Sequence, residues 1–147
     1  ASAAAEAEKV IPMGRGEMVL VVDDEATVLS ITREALETCG YRAVTARDGT
    51  EAINVFTAHR NDIKVVITDM LMPFMDGPAT IRVLRKLEPN IPIIAASGLM
   101  DHEKVRDATG MDNIAFLLKP YTTEKLLLTL DKALMRNAIA PATDKAA

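Results

Sequence analysis

Five short apolar runs alternate with stretches of helical periodicity, and this alternation restricts the fold more than any other feature of the chain. The runs are 18–22, 41–45, 64–68, 93–96 and 115–118. Three of them carry no polar alternation, which predicts central parallel strands covered on both faces. Between them, apolar residues recur at helical spacing. Val28, Ile31, Ala35, Leu36 and Cys39 predict a first helix stopped by Gly40. Asp48-Gly49 opens a second helix with Ala52, Ile53 and Phe56 inward, and Asp76-Gly77-Pro78 opens a third with Ile81, Leu84 and Leu87 inward. "DHEKVRDATG" is a short polar fourth. Thr122 caps a fifth, with Leu126, Leu130, Ala133 and Leu134 on its buried face. Strand–helix units repeated in this way predict a doubly wound α/β domain with right-handed crossovers.

The rest of the chain fits one such domain of 147 residues. We assign 1–16 to a linker or disordered segment, 17–137 to the domain and 138–147 to a flexible tail. Apolar residues make up 49%, enough for a core, and the net charge of −4 argues against a nucleic-acid surface. No apolar stretch is long enough to span a membrane, and no secretory signal opens the chain. The single cysteine, Cys39, excludes an internal disulfide and reads as a small buried hydrophobe. These features predict a cytoplasmic domain.

In doubly wound folds the functional crevice lies at the carboxyl ends of the strands. There the sequence places Asp23 and Asp24 after the first strand, Asp69 after the third, Ser97 after the fourth and Lys119 after the fifth. Singly, each has an ordinary reading: Asp24 as a helix cap, Asp69 as a loop cap, Ser97 as a turn residue, Lys119 as a solvated charge. Together on one rim they are hard to explain that way. Three carboxylates at contact distance need a cation, and one lysine does not balance them. A hard divalent ion held by carboxylates and waters fits Mg²⁺, with Asp23 and Asp24 as the binding pair. A free carboxylate beside such an ion, an ammonium and a hydroxyl suits phosphoryl transfer, with Asp69 as the nucleophile.

"VLVVDDE", "VVITDMLMPFMDG", "IIAASG" and "FLLKPY" resemble, in order and spacing, the motifs of the receiver domain of two-component response regulators, over about residues 17–136. The resemblance implies a flavodoxin-like sheet of order 2-1-3-4-5 and a phosphoprotein rather than an enzyme, beyond its own phosphotransfer and dephosphorylation. It implies that Asp69 accepts a phosphoryl group from a phosphohistidine on a histidine kinase or phosphotransfer protein. Mg²⁺ would be held by Asp23, Asp24, Asp69 and the backbone carbonyl of Leu71. Lys119 would contact the phosphoryl group, Ser97 would be the switch hydroxyl and Phe116 the switch aromatic. A cis Lys119–Pro120 bond is implied as well.

Ser97 stands where threonine is commoner, Phe116 where tyrosine is frequent, and Tyr121 where phenylalanine is more usual. Leu71 and Leu99 occupy the positions flanking the phosphoryl entry. Two contexts stay open: a stand-alone regulator, and the receiver of a hybrid sensor kinase, favoured because "PMGRGEMVLVVDDE" resembles the junction after such kinases' ATP-binding domain. Partner contacts, with a second copy or an attached kinase, are expected through the fourth and fifth helices, where Leu128 and Met135 lie seven residues apart. His59 and His102 lack a kinase-type context. A Mg²⁺-dependent hydrolase using Asp23 as nucleophile and Glu25 as acid is a remote alternative, since the chain lacks that class's second acidic cluster and cap domain.

Overall fold

The computed structural model describes residues 10–73 and 75–146, with 136–146 described by backbone alone. Five strands, β1 (Met18–Val22), β2 (Arg42–Ala46), β3 (Ile63–Asp69), β4 (Ile93–Ser97) and β5 (Ala115–Leu118), form one sheet of order β2-β1-β3-β4-β5. Every pairing is parallel. The helices are α1 (Ala26–Thr38), α2 (Gly49–Ala58), α3 (Gly77–Leu87), α4 (His102–Thr109) and α5 (Thr123–Ala146). The predicted fold class and strand order are thus both observed.

Side chains alternate across each strand, so the sheet feeds two cores. Met18, Leu20 and Val22 of β1 join Val66, Phe56, Ile81 and Leu84 on the face covered by α2 and α3. Val19 and Val21 join Ile67, Leu29, Leu36, Leu126 and Leu130 on the face covered by α1 and α5. Both faces of β1 and β4 are therefore buried, as their unbroken apolar runs require. Asp48, Asp76 and Asp101 cap α2, α3 and α4 by accepting backbone N–H groups three residues on, and Thr122 accepts from Lys125. Cys39 packs at the edge of the α1–α5 core.

The observed β2, β3 and β4 differ by one residue at one or both ends from the expected ranges, and three further details differ from the sequence reading. The buried stripe of α1 is Leu29, Thr32 and Leu36, rotated from the expected one, and Ile31 is 63% exposed. A polar residue at 32 masks the true stripe from any count of apolar spacing. Helix α5 continues past Asn137 to Ala146 and runs through Pro141, a residue that ordinarily breaks a helix interior, so the local composition does not announce this extension. Finally, Gly14 and Gly16, placed in the linker, donate hydrogen bonds of 2.7 Å to the carbonyls of Cys39 and Gly40. A Cβ on Gly14 would stand 2.6 Å from the Tyr41 ring, so only glycine permits this approach.

Of the expected docking pair, Met135 is exposed while Leu128 is half-buried. Among the described residues no helix is long and apolar enough to cross a membrane.

Candidate functional site

The register of the parallel strands builds the site. Val22 pairs with Thr68 across β1 and β3, so the next residues, Asp23 and Asp69, emerge side by side. Asp69 pairs with Ala96 of β4, which puts Ser97 one step further along the same rim. Ser97 pairs with Leu118, the last residue of β5, and Lys119 follows. Asp69 and Ser97 are thus the final residues of their strands, one residue earlier relative to the strand end than the sequence reading placed them.

Carboxylate oxygens of Asp23, Asp24 and Asp69 lie within 4.8 Å of one another. Asp23 and Asp69 are buried, at 3% and 7% exposure, while Asp24 faces solvent. Lys119 Nζ donates to Asp23 Oδ2 at 2.8 Å and stands 3.7 Å from Asp69 Oδ1. The Asp23 Oδ1 atom accepts the Glu25 N–H, fixing the carboxylate against the start of α1. Glu25, not Asp24, is the N-cap residue, and it makes no side-chain cap. The capping reading of Asp24 therefore falls away.

Burial is the main cause that pushes the Asp69 carboxyl up to about 6. The charge of Asp23 adds to it, Lys119 and the Leu71 backbone hydrogen bond oppose it, and Asp24 raises it further. For Lys119, burial acts to lower the pKa. The hydrogen bond and charge of Asp23, then Asp69 and Glu25, outweigh burial and hold the ammonium above its ordinary value. One cation among three carboxylates leaves the cleft with surplus negative charge. The donors are all hard oxygens, and the set fits a Mg²⁺-type ion.

Ser97 Oγ accepts the N–H groups of Leu99 and Met100 at 3.2 and 2.9 Å. Its own O–H is not used in these bonds and can donate to an oxygen bound at Asp69. The loop after β3 folds back tightly: Gly77 N donates to Met70 O, and a Cβ on Gly77 would meet Asp69 O at 2.4 Å. Phe116 is half-buried on β5, its ring stacked 6.2 Å from the His102 ring of α4. The Lys119–Pro120 bond is cis.

These groups open into a cavity of about 610 Å³ whose walls also include Glu25, Val28, Ile31, Leu71, Leu99 and Tyr121. Five of the sequence-derived site residues (Asp24, Asp69, Leu71, Ser97 and Lys119) line it, and Asp23 lies buried behind Lys119. Phe116 stands apart, on the far side of β5 among residues of the other core. Sequence reasoning missed the α1 wall and the hydrogen bond of 3.0 Å between Thr32 Oγ1 and Tyr121 OH. A threonine at buried helical spacing is the one signal that marks it.

An open parallel sheet with an acidic cleft at its switch point, a lysine and a hydroxyl alongside, defines a doubly wound α/β domain whose site lies at the carboxyl ends of its strands. The chain belongs to the response regulator receiver domain family, whose profile matches residues 19–131. It is 32% identical over 127 residues to the sensor kinase CckA of Brucella abortus, covering 86% of this chain and 13% of that protein. It is 38% identical over 123 residues to the probable transcriptional regulator ycf27 of Guillardia theta, covering 82% and 46%. The chain spans less than half the length of both relatives. Among solved structures, a receiver domain protein from Clostridium thermocellum superposes with a TM-score of 0.77 at 34% identity, over 83% of this chain and 97% of that one. The receiver domain of the hybrid histidine kinase CckA does so with a TM-score of 0.68 at 27% identity, over 80% and 98%.

Proposed function

We propose that Asp69 accepts a phosphoryl group from a phosphohistidine on a histidine kinase or phosphotransfer partner, and that the phosphorylated domain then controls an attached kinase or a separate partner. The convergence of Asp23, Asp24, Asp69, Ser97 and Lys119 on one rim carries this reading. An Asp69 oxygen attacks phosphorus as the bond to the donor imidazole nitrogen breaks, and the electron pair stays on that nitrogen. The Lys119 ammonium, already 3.7 Å from Asp69 Oδ1, neutralises charge on the phosphoryl oxygens. Ser97 donates its free O–H to one of them.

Mg²⁺ held by Asp23, Asp24, Asp69 and the Leu71 carbonyl would supply the remaining positive charge. Phe116 would be the aromatic that changes position, and without a hydroxyl its movement rests on packing. The receiver of a hybrid kinase is the favoured context, supported by the similarity to the CckA receiver.

Intact-mass measurement after incubation with acetyl phosphate tests the reading. Wild type should gain one phosphoryl group with Mg²⁺ present and none with chelator. Asp69→Asn should gain none, and equal labelling of the two proteins would refute the assignment.

A further inference from the structure

We propose that Tyr121, through its hydroxyl, is a positioning residue that holds Lys119 in place for phosphoryl uptake; the inference rests on the reading of Asp69 as phosphoryl acceptor. Tyr121 follows Lys119 by two residues, and its OH lies 3.0 Å from Thr32 Oγ1 on α1, 89 positions away in sequence. Thr32 is 3% exposed and is the one polar member of the buried stripe of α1. A hydroxyl in that stripe is costly without a partner, so the pair is matched at both ends.

Two side-chain ties therefore join the β1–α1 region to the turn after β5. One is Lys119 Nζ to Asp23 Oδ2 at 2.8 Å, the other Tyr121 to Thr32. The two differ in what phosphoryl uptake does to them. An ammonium drawn toward phosphoryl oxygens on Asp69 must loosen its hold on Asp23, whereas the tyrosine bond involves no reacting group and persists.

On its other side the turn is pinned by Lys119 N donating to Ser97 O at 3.0 Å. With the Lys119 backbone held at Ser97 and the Tyr121 side chain at Thr32, the flexible lysine stem starts from a constrained point. Misplacement of a charge-stabilising group by a fraction of an ångström is felt in the rate constant and not in the capacity to be labelled. The Tyr121 ring also lines the cavity, so the hydroxyl and the ring have separable roles.

Tyr121→Phe keeps the ring and removes the tie; Thr32→Val removes it from the other end. With acetyl phosphate and Mg²⁺, each variant should show a maximal phosphorylation rate lowered about three- to tenfold, with the half-saturating acetyl phosphate concentration unchanged. The double variant should be no slower than either single one, and Thr32→Ser should keep the wild-type rate. Variants that label at the wild-type rate, or a double variant whose losses multiply, would overturn the role of Tyr121. Urea midpoints measured alongside ensure that only folded protein is compared, and Tyr121→Phe decides the matter if Thr32→Val unfolds. If wild type takes no label, or Asp69→Asn still does, the reading of Asp69 fails instead.

Discussion

Replacing Asp69 with asparagine should stabilise the metal-free protein, and by an amount that depends on pH. The native fold raises this carboxyl from an ordinary 3.8 to about 6, chiefly by burial and then by the charge of Asp23. A carboxyl whose pKa is higher in the folded state binds its proton more tightly there, so folding stability falls as pH rises between the two values. Well below pH 3.8 the group is protonated in both states and costs nothing. Above pH 6 the full penalty applies, and the rise corresponds to about 3 kcal/mol. That figure already includes the opposing attraction of Lys119. Asparagine has nearly the same shape and no charge, but its amide does not reproduce every hydrogen bond of the carboxyl, so a gain of about 1–2 kcal/mol is expected.

Urea denaturation in chelator, followed by circular dichroism, would give a small difference between the two proteins at pH 4.5 and the full gain at pH 7.5, with equal m-values. Adding Mg²⁺ at pH 7.5 should raise the wild-type midpoint and narrow the gap. A stability difference that does not change with pH, or an Asp69→Asn protein less stable at pH 7.5, would refute the argument that buried like charge strains this cleft.

Leu71 and Leu99, 49% and 78% exposed at the cavity wall, cannot orient a hydrolytic water. The aspartyl phosphate should therefore decay roughly tenfold faster in a Leu71→Asn/Leu99→Glu double variant, at matched pH and Mg²⁺; an unchanged decay rate would exclude control by these leucines. Gly14→Ala should drive residues 14–16 off the α1–β2 turn, since its Cβ would stand 2.6 Å from the Tyr41 ring and 2.7 Å from the Gly40 carbonyl carbon. Faster amide exchange at Gly14 and Gly16 and a loss of about 1 kcal/mol are expected, with phosphorylation of Asp69 retained.

What the sequence discloses about this molecule follows how local each feature is. The bounds of β1 are legible to the residue, because an apolar run flanked by the charged residues Glu17 and Asp23 is a local signal. So is the capping of α2 and α3, where Asp48 and Asp76 stand three residues before the N–H groups they bind. The orientation of α1 is not legible. Its stripe includes Thr32, whose burial makes sense only once Tyr121 is known to lie against it from 89 positions away. Ile31 reads as core by helical spacing, yet it is exposed at the wall of the cavity.

The acidic cluster is legible in kind, and its compactness depends on register. Because successive side chains on a strand face opposite ways, a slip of one residue between β1 and β3 would carry Asp69 away from Asp23 and turn its side chain to the other face. The one irregularity in that pairing lies between Met18 and Val19, at the end of β1 remote from the site. From Val19 to Val22 the pairing runs without interruption, through Val65, Val66 and Ile67 to Thr68. These are the residues buried at the centre of the two cores, so the apolar packing that holds the sheet together also fixes the register that delivers the two carboxylates. The repulsion between Asp23 and Asp69 is thus imposed by residues with no charge of their own, and a cation can relieve it without moving the fold.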